Sequence, residues 1–264
     1  MASMASSAAV TLAEITARAG DIIMRHYDSG EVANWKKDDK SPCTAADRDA
    51  EHFILAELAK AWPQIPVVAE EQAADGSTPN IGARFFLVDP LDGTKEFLNR
   101  NGEFTVNIAE IENGVPVRGC VYAPAKRRLF LGDATGGAYE LALGDSAQFD
   151  WSKARPIHVR KAGADGMIAV ASRSHRDSKT DEYLAHYHVK DFVSAGSSLK
   201  FCLVAAGEAD IYPRHGRTME WDTAAGHAVL AAAGGSVTKL DGSPFLYGKV
   251  AEGFANPFFV AKGG

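Results

Sequence analysis

The chain has 264 residues, enough to bury a substantial core as one large domain or two closely joined ones. Its 28 Lys and Arg against 34 Asp and Glu give a formal charge of −6, which argues against a nucleic-acid polymer as partner but leaves room for a small anion in a local basic pocket. Cys43, Cys120 and Cys202 form neither a zinc pattern nor a disulfide framework, and no secretory leader or membrane span is readable, so a cytoplasmic protein is expected, with Met4 as an alternative start.

Leu12, Ile15, Ala19, Ile22 and Ile23 recur at helical spacing and predict a first helix that runs to about Tyr27, before Ser29-Gly30. The polar stretch 35–42 reads as a solvated loop or as a lid over a charged site. A second helix is expected over 44–61, where Thr44-x-x-Asp47 has the spacing of an N-terminal capping pair. Strands follow at 65–69, 84–88, 104–111, 116–122, 128–131 and 137–141, with Asn113-Gly114 as a hairpin signal, so this block is largely antiparallel sheet. After about Arg160 the pattern alternates: strand 167–172, helix 179–187, strand 191–194, helix 197–207, strand 209–212, helix 222–233 and strand 236–239. That is α/β, with helices covering a sheet.

The run Phe86-Leu-Val-Asp-Pro-Leu-Asp-Gly-Thr94 places Asp89 and Asp92 in a predicted tight turn after an apolar strand. Pro90 fixes a dihedral and Gly93 permits a positive φ or close approach. Thr94 adds a hydroxyl, and the N–H groups of residues 93 and 94 at a helix start favour an anion. Asp-Pro and Asp-Gly also make ordinary turns with no ligand. A second acidic pair, Glu70-Glu71, follows another apolar run, and carboxylates after neighbouring strands can converge on one sheet edge. Mg²⁺ favours such oxygen ligands together with a substrate phosphate.

Glu70-Glu71, DPLDGT at 89–94 and Trp221-Asp222-Thr-Ala-Ala-Gly226 together resemble the three signatures of the inositol monophosphatase superfamily of metal-dependent, lithium-sensitive phosphatases. DGTKEFLNRNGEFTVNIA at 92–109 and GSSLKFCLVAAGEADIYPR at 196–214 resemble the CysQ-type 3'(2'),5'-bisphosphate nucleotidases, and the likeness runs from about Leu12 to Val260. It implies a layered α-β-α-β-α sandwich of the α+β or α/β class. Residues 1–160 would form the metal-binding catalytic half and residues 161–264 the half with the specificity residues and the last metal ligand.

The resemblance further implies two Mg²⁺ ions, with a third near Glu70 held largely through water. Glu70, Asp89 and the Leu91 carbonyl would take the first ion, and Asp89, Asp92 and Asp222 the second, about 3.5–4 Å away. Thr94, polarised by Asp47, would orient a metal-activated water, and Glu70 could take a proton. Glu71 reads as outward-facing support. Gly93, Thr94 and Asp222 would also meet substrate, while Ser172, His175, Ser197 and Lys200 would approach the phosphate and ribose of the part that does not react. Arg214, His215 and Arg217 offer a basic rim, and Tyr212 and Trp221 are candidates to stack on adenine.

Other readings stay open at this level. Asp47 and Asp222 also fit helix caps, Ser197 fits a cap, Lys200 a surface charge and His175 a solvated turn. The expected reaction is hydrolysis of the 3'-phosphate of adenosine 3',5'-bisphosphate, and of the sulfated donor 3'-phosphoadenylyl sulfate, in sulfate assimilation. Alternatives are inositol 1-phosphate or fructose 1,6-bisphosphate as substrate, or a nucleotide- and metal-binding regulator without catalysis. The resemblance also admits a homodimer and peripheral attachment at the inner membrane.

Overall fold

The computed structural model describes residues 5–30, 34–36, 42–144, 149–172 and 178–264. Most of the 35–42 loop, His175 and the side chains of Cys43 and Ser172 lie outside the described part. Helix α1 (Ser7–Ser29) begins one turn before its first large apolar residue, because the Ser6 hydroxyl accepts the Ala9 N–H at 3.2 Å. Gly30 ends it at φ 72°, in the left-handed region. The chain continues as β1 (Asn34–Lys36), β2 (Pro42–Thr44), α2 (Ala45–Ala61), β3 (Val67–Ala69), α3 (Glu70–Ala74), β4 (Arg84–Asp92), α4 (Thr94–Leu98), β5 (Thr105–Glu112) and β6 (Val115–Ala123). Then come β7 (Arg128–Asp133), β8 (Gly137–Ala142), β9 (Arg155–Pro156), β10 (Met167–Ser172), α5 (Ser178–Leu184), β11 (Val189–Ala195), α6 (Leu199–Ala205), β12 (Ile211–Arg214), α7 (Glu220–Ala232), β13 (Ser236–Lys239) and β14 (Phe259–Lys262).

Strands β3 to β9 lie in chain order in one seven-stranded sheet, antiparallel except for the parallel pair β3 and β4. A second sheet has the order β11-β10-β12-β14-β13. Helices α1 and α2 cover one face of the large sheet, α6 and α7 fill the space between the two sheets, and α5 packs on β12. The result is the expected α-β-α-β-α sandwich. Among the described residues, no helix is long and apolar enough to cross a membrane.

Strand β4 reads as an unbroken apolar run because both of its faces are covered. Phe86 and Val88 join Leu12, Ile15 and Ile54 of α1 and α2, while Phe85 and Leu87 join Phe201, Trp221 and Ala225 of α6 and α7. Helix α7 sits so close to the sheet that a Cβ on Gly119 or Gly132 would lie 2.7 Å from the Ala225 carbonyl or 2.5 Å from that of Ala228. The small residues of the 221–226 motif are thus a packing requirement as well as a signature.

Three expectations need correction. The one-turn helix α3 and the short strands β1, β2, β9 and β14 were not anticipated, since pieces this short carry too little periodicity to register, whereas the helix start expected at residues 93 and 94 is α4. Helix α6 starts at Leu199 rather than at 197, because Ser197 has φ 45°. Strand β12 covers 211–214 instead of 209–212.

Candidate active site

Asp89 and Asp92 are three residues apart, so a regular strand would point them to opposite faces. The register shows what happens instead: Asp89 lies opposite Asn107 and Asp92 opposite Thr105, so three steps of β4 match two of β5. This bulge, rather than the predicted tight turn, restores the parity and aims both carboxylates at the α6/α7 side. Asp89 is buried and accepts the Leu91 N–H at 3.0 Å. Gly93, at φ 91°, then breaks the strand and lets α4 begin with Thr94. The Thr94 hydroxyl lies 3.4 Å from the Leu91 carbonyl and 3.4 Å from Asp47 Oδ1.

Asp47 closes the start of its helix and also faces Thr94. Its Oδ2 accepts the Thr44 N–H at 2.8 Å and also the Thr44 hydroxyl, closing the start of α2, while Oδ1 faces Thr94. One turn later on the same helix, the buried Glu51 accepts the Glu71 N–H at 2.8 Å and the Gln72 N–H at 3.0 Å. Glu51 was missed in the sequence, although its i+4 spacing from Asp47 puts both on one helix face. Glu71, expected to face outward, is only 4% exposed.

The other wall comes from the second half of the chain. Asp222 is the third residue of α7, and its Oδ2 accepts the Met219 N–H at 2.7 Å, so it also closes its helix start. Ser198, unremarked in the sequence, joins the two halves: its N–H donates to Asp92 Oδ2 at 2.7 Å and its hydroxyl reaches the Asp222 carbonyl. Ser198, not Ser197, flanks α6, and the Ser197 Oγ is buried with no hydrogen-bond partner. Lys200 is buried rather than a surface charge; its Nζ donates to the Ser197 carbonyl and lies 5.5 Å from the centre of the Tyr212 ring.

A cleft of about 250 Å³ brings these groups together. Glu70, Asp92, Gly93, Thr94 and Asp222 share it with Ser197, Lys200, Arg214 and Arg217. His215 does not join this rim, because its ring packs against Tyr183 and Phe258. Trp221 is enclosed beside Phe254, which leaves no open face for a base. Tyr212 lines the cleft but is held edge-on by Phe201 and Phe259.

Electrostatics follow from enclosure. Burial, reinforced by the charges of Glu70, Asp92 and Asp222, holds the Asp89 carboxyl well above the usual carboxylate range. Asp222 is raised for the same reasons, burial first, then Asp92 and Glu70. Asp92 is pushed up to about 6, burial outweighing the favourable charge of Lys200 and the Ser198 bonds. Burial likewise raises Asp47 to about 7 and lowers Lys200 to about 8.

Such mutual repulsion is what a cation would relieve. Among the described residues, no group of three or more His, Cys, Asp or Glu side chains stands in a geometry already set to hold a metal ion. The donor chemistry nevertheless fits a hard divalent ion: four interacting carboxylates and the Leu91 carbonyl are all oxygen donors, and among the described residues no His or Cys lines the cleft.

A layered α-β-α-β-α sandwich with an acidic edge and a cationic wall in one cleft defines the class of metal-dependent phosphatases. The chain belongs to the inositol monophosphatase family, whose profile matches residues 4–260. Among its relatives, the 3'(2'),5'-bisphosphate nucleotidase CysQ of Salmonella typhimurium is 45% identical over 247 residues, 93% of this chain and 96% of that protein. The protein of the same name from Escherichia coli K12 is 44% identical over 247 residues, again 93% and 96%. The crystal structure of CysQ from Bacteroides thetaiotaomicron matches with a TM-score of 0.79 at 40% identity, covering 97% of each chain. An IMPase from Thermotoga maritima matches with a TM-score of 0.75 at 25% identity, covering 95% of this chain and 89% of that one.

Proposed function

We propose that this phosphatase removes the 3'-phosphate of adenosine 3',5'-bisphosphate, giving AMP and phosphate, and acts likewise on 3'-phosphoadenylyl sulfate in sulfate assimilation. The observation that carries the reading is the composition of one cleft: Asp92 and Asp222 share it with the buried Lys200 and with Arg214 and Arg217. A substrate with two separated anionic groups suits both ends. The names of the CysQ relatives support the same substrate class.

In this reading Glu70, Asp89, the Leu91 carbonyl, Asp92 and Asp222 would hold two Mg²⁺ ions, with a third near Glu70, which when bound supply Lewis-acid charge and lower the pKa of a nearby water. Thr94 orients that water from the end of the β4 bulge. Asp47, raised to about 7, takes the Thr94 proton as Thr94 takes one from the water. Glu70 offers a second proton acceptor at the same edge. The attacking oxygen forms a bond to phosphorus in line as the bond from phosphorus to the 3' oxygen breaks; that oxygen takes a proton from solvent water and leaves as the 3'-hydroxyl of AMP, and Asp47 returns its proton to solvent. Ser197 and Lys200, with Ser172 and His175, bind the part of the nucleotide that does not react, so residues 161–264 supply specificity and residues 1–160 most of the chemistry.

The test is kcat/KM with Mg²⁺ for adenosine 3',5'-bisphosphate beside inositol 1-phosphate and fructose 1,6-bisphosphate. The expected preference for the nucleotide is about a hundredfold or more, roughly 2.7 kcal/mol of differential transition-state binding. A preference for either sugar phosphate would overturn the nucleotide assignment and leave the metal site standing.

A further inference from the structure

We propose that Glu51 is a positioning residue that fixes the Glu70 carboxylate by serving as the N-terminal cap of α3 from a different helix. The inference rests on the reading of Glu70 as a cation ligand. Helix α3 runs for five residues, and its flanking residue, Ala69, has no side-chain group to satisfy the free N–H groups of the first turn. Ala69 is 1% exposed and closes β3, so the apolar core occupies the position where a local cap would stand. Glu51 supplies what is missing: its Oε2 takes the Glu71 N–H at 2.8 Å and its Oε1 the Gln72 N–H at 3.0 Å.

Both contacts fall on the residues immediately after Glu70, so they set the backbone from which that carboxylate projects. The residue is 5% exposed and comes from α2, one turn beyond Asp47. Helix α2 therefore locates two parts of the site at once, Thr94 through Asp47 and Glu70 through Glu51. The two N–H donors at the first turn of α3 face the Glu51 carboxyl and offset part of the cost of burying it beside Glu70 and Glu71.

The experiment is calorimetric titration of the full chain with Mn²⁺ alone and with Mg²⁺ alone, for the wild type and for E51A, E51Q and E70Q. The proposal expects E51A to weaken cation binding about tenfold, in line with the loss of a cap from a ligand-bearing helix. E51Q can accept only one of the two N–H groups and falls between E51A and the wild type. At saturating Mg²⁺ the kcat of E51Q returns to within about threefold of wild type, since the chemistry itself does not pass through Glu51. E51Q carries the test if E51A does not fold. Cation affinity equal to wild type in E51Q and E51A, with only thermal stability reduced, would overturn the positioning role. If E70Q also binds as the wild type does, the ligand reading of Glu70 fails instead, and the two failures are separated.

Discussion

Enclosing an ammonium group is costly unless hydrogen bonds or opposite charges compensate, and Lys200 is only 5% exposed. Burial lowers its pKa to about 8, while Asp92, Glu96 and Glu103 oppose that shift and Arg214 adds to it. Its charge therefore has acids on one side and the cleft on the other, and in the proposed reading the cleft side meets the non-reacting end of the substrate. Replacing Lys200 with Met keeps the apolar stem over Tyr212 and removes the charge. The expected outcome is a KM for adenosine 3',5'-bisphosphate raised about tenfold or more, the equivalent of one hydrogen bond to a charged group. Hydrolysis of a simple phosphate monoester should stay within about twofold. Steady-state kinetics on the two substrates decides the matter: an equal loss on both would mean that Lys200 serves the acidic edge rather than the far end of the substrate.

Helix α7 carries both a tight packing contact and the Asp222 carboxyl of the acidic edge. Asp222 and Gly226 are one turn apart on it, and a Cβ at position 226 would lie 2.6 Å from Cδ2 and 2.7 Å from Cβ of Phe201 on α6. Gly226→Ala should therefore destabilise the protein by about 1–3 kcal/mol through overpacking and weaken cation binding, because α7 can yield only by moving Asp222. Gly82→Ala, which meets nothing within 4 Å, is the control and should change stability by no more than about 0.5 kcal/mol. Urea unfolding measures both. A Gly226→Ala protein as stable as the control would show that Phe201 turns aside and that α6 and α7 are loosely coupled.

At the scale of the whole molecule, the acidic edge is a store of unfavourable charge. Asp47 and Glu51 are raised to about 7 and Asp92 to about 6, from ordinary values near 4. Between about pH 4 and pH 7 these acids hold more protons in the folded chain than in the unfolded one; the buried His227, lowered to about 4, acts in the opposite sense as a single group, so the stability should fall on balance as pH rises through that window. A divalent cation takes over the role of those protons and should reverse the trend. Thermal melts in chelator are expected to show a lower Tm at pH 7.5 than at pH 5.5, and added Mg²⁺ should raise Tm more at pH 7.5. A Tm in chelator that rises steadily from pH 5.5 to 7.5 would contradict the assignment of buried, mutually repelling carboxylates.

Most of the strands, both long helices and the five candidate groups Glu70, Asp89, Asp92, Thr94 and Asp222 were legible in the chain because local periodicity and contiguous motifs encode them. What lay beyond reach has a common physical origin. The β4 bulge is defined by pairing with β5, so the shared facing of Asp89 and Asp92 depends on register between strands. Glu51 caps a helix 20 positions away, and Ser198 joins Asp92 to Asp222 across separations of 106 and 24 positions. Spacing along the chain says nothing of such contacts. Enclosure of Glu71 and Lys200, and the turning of His215 toward Tyr183, were likewise settled by neighbouring layers. The amino-acid sequence by itself determined which chemical groups the protein possesses and which elements bear them; the tertiary structure decided which way they face and what holds them, because side-chain direction is fixed by packing between elements.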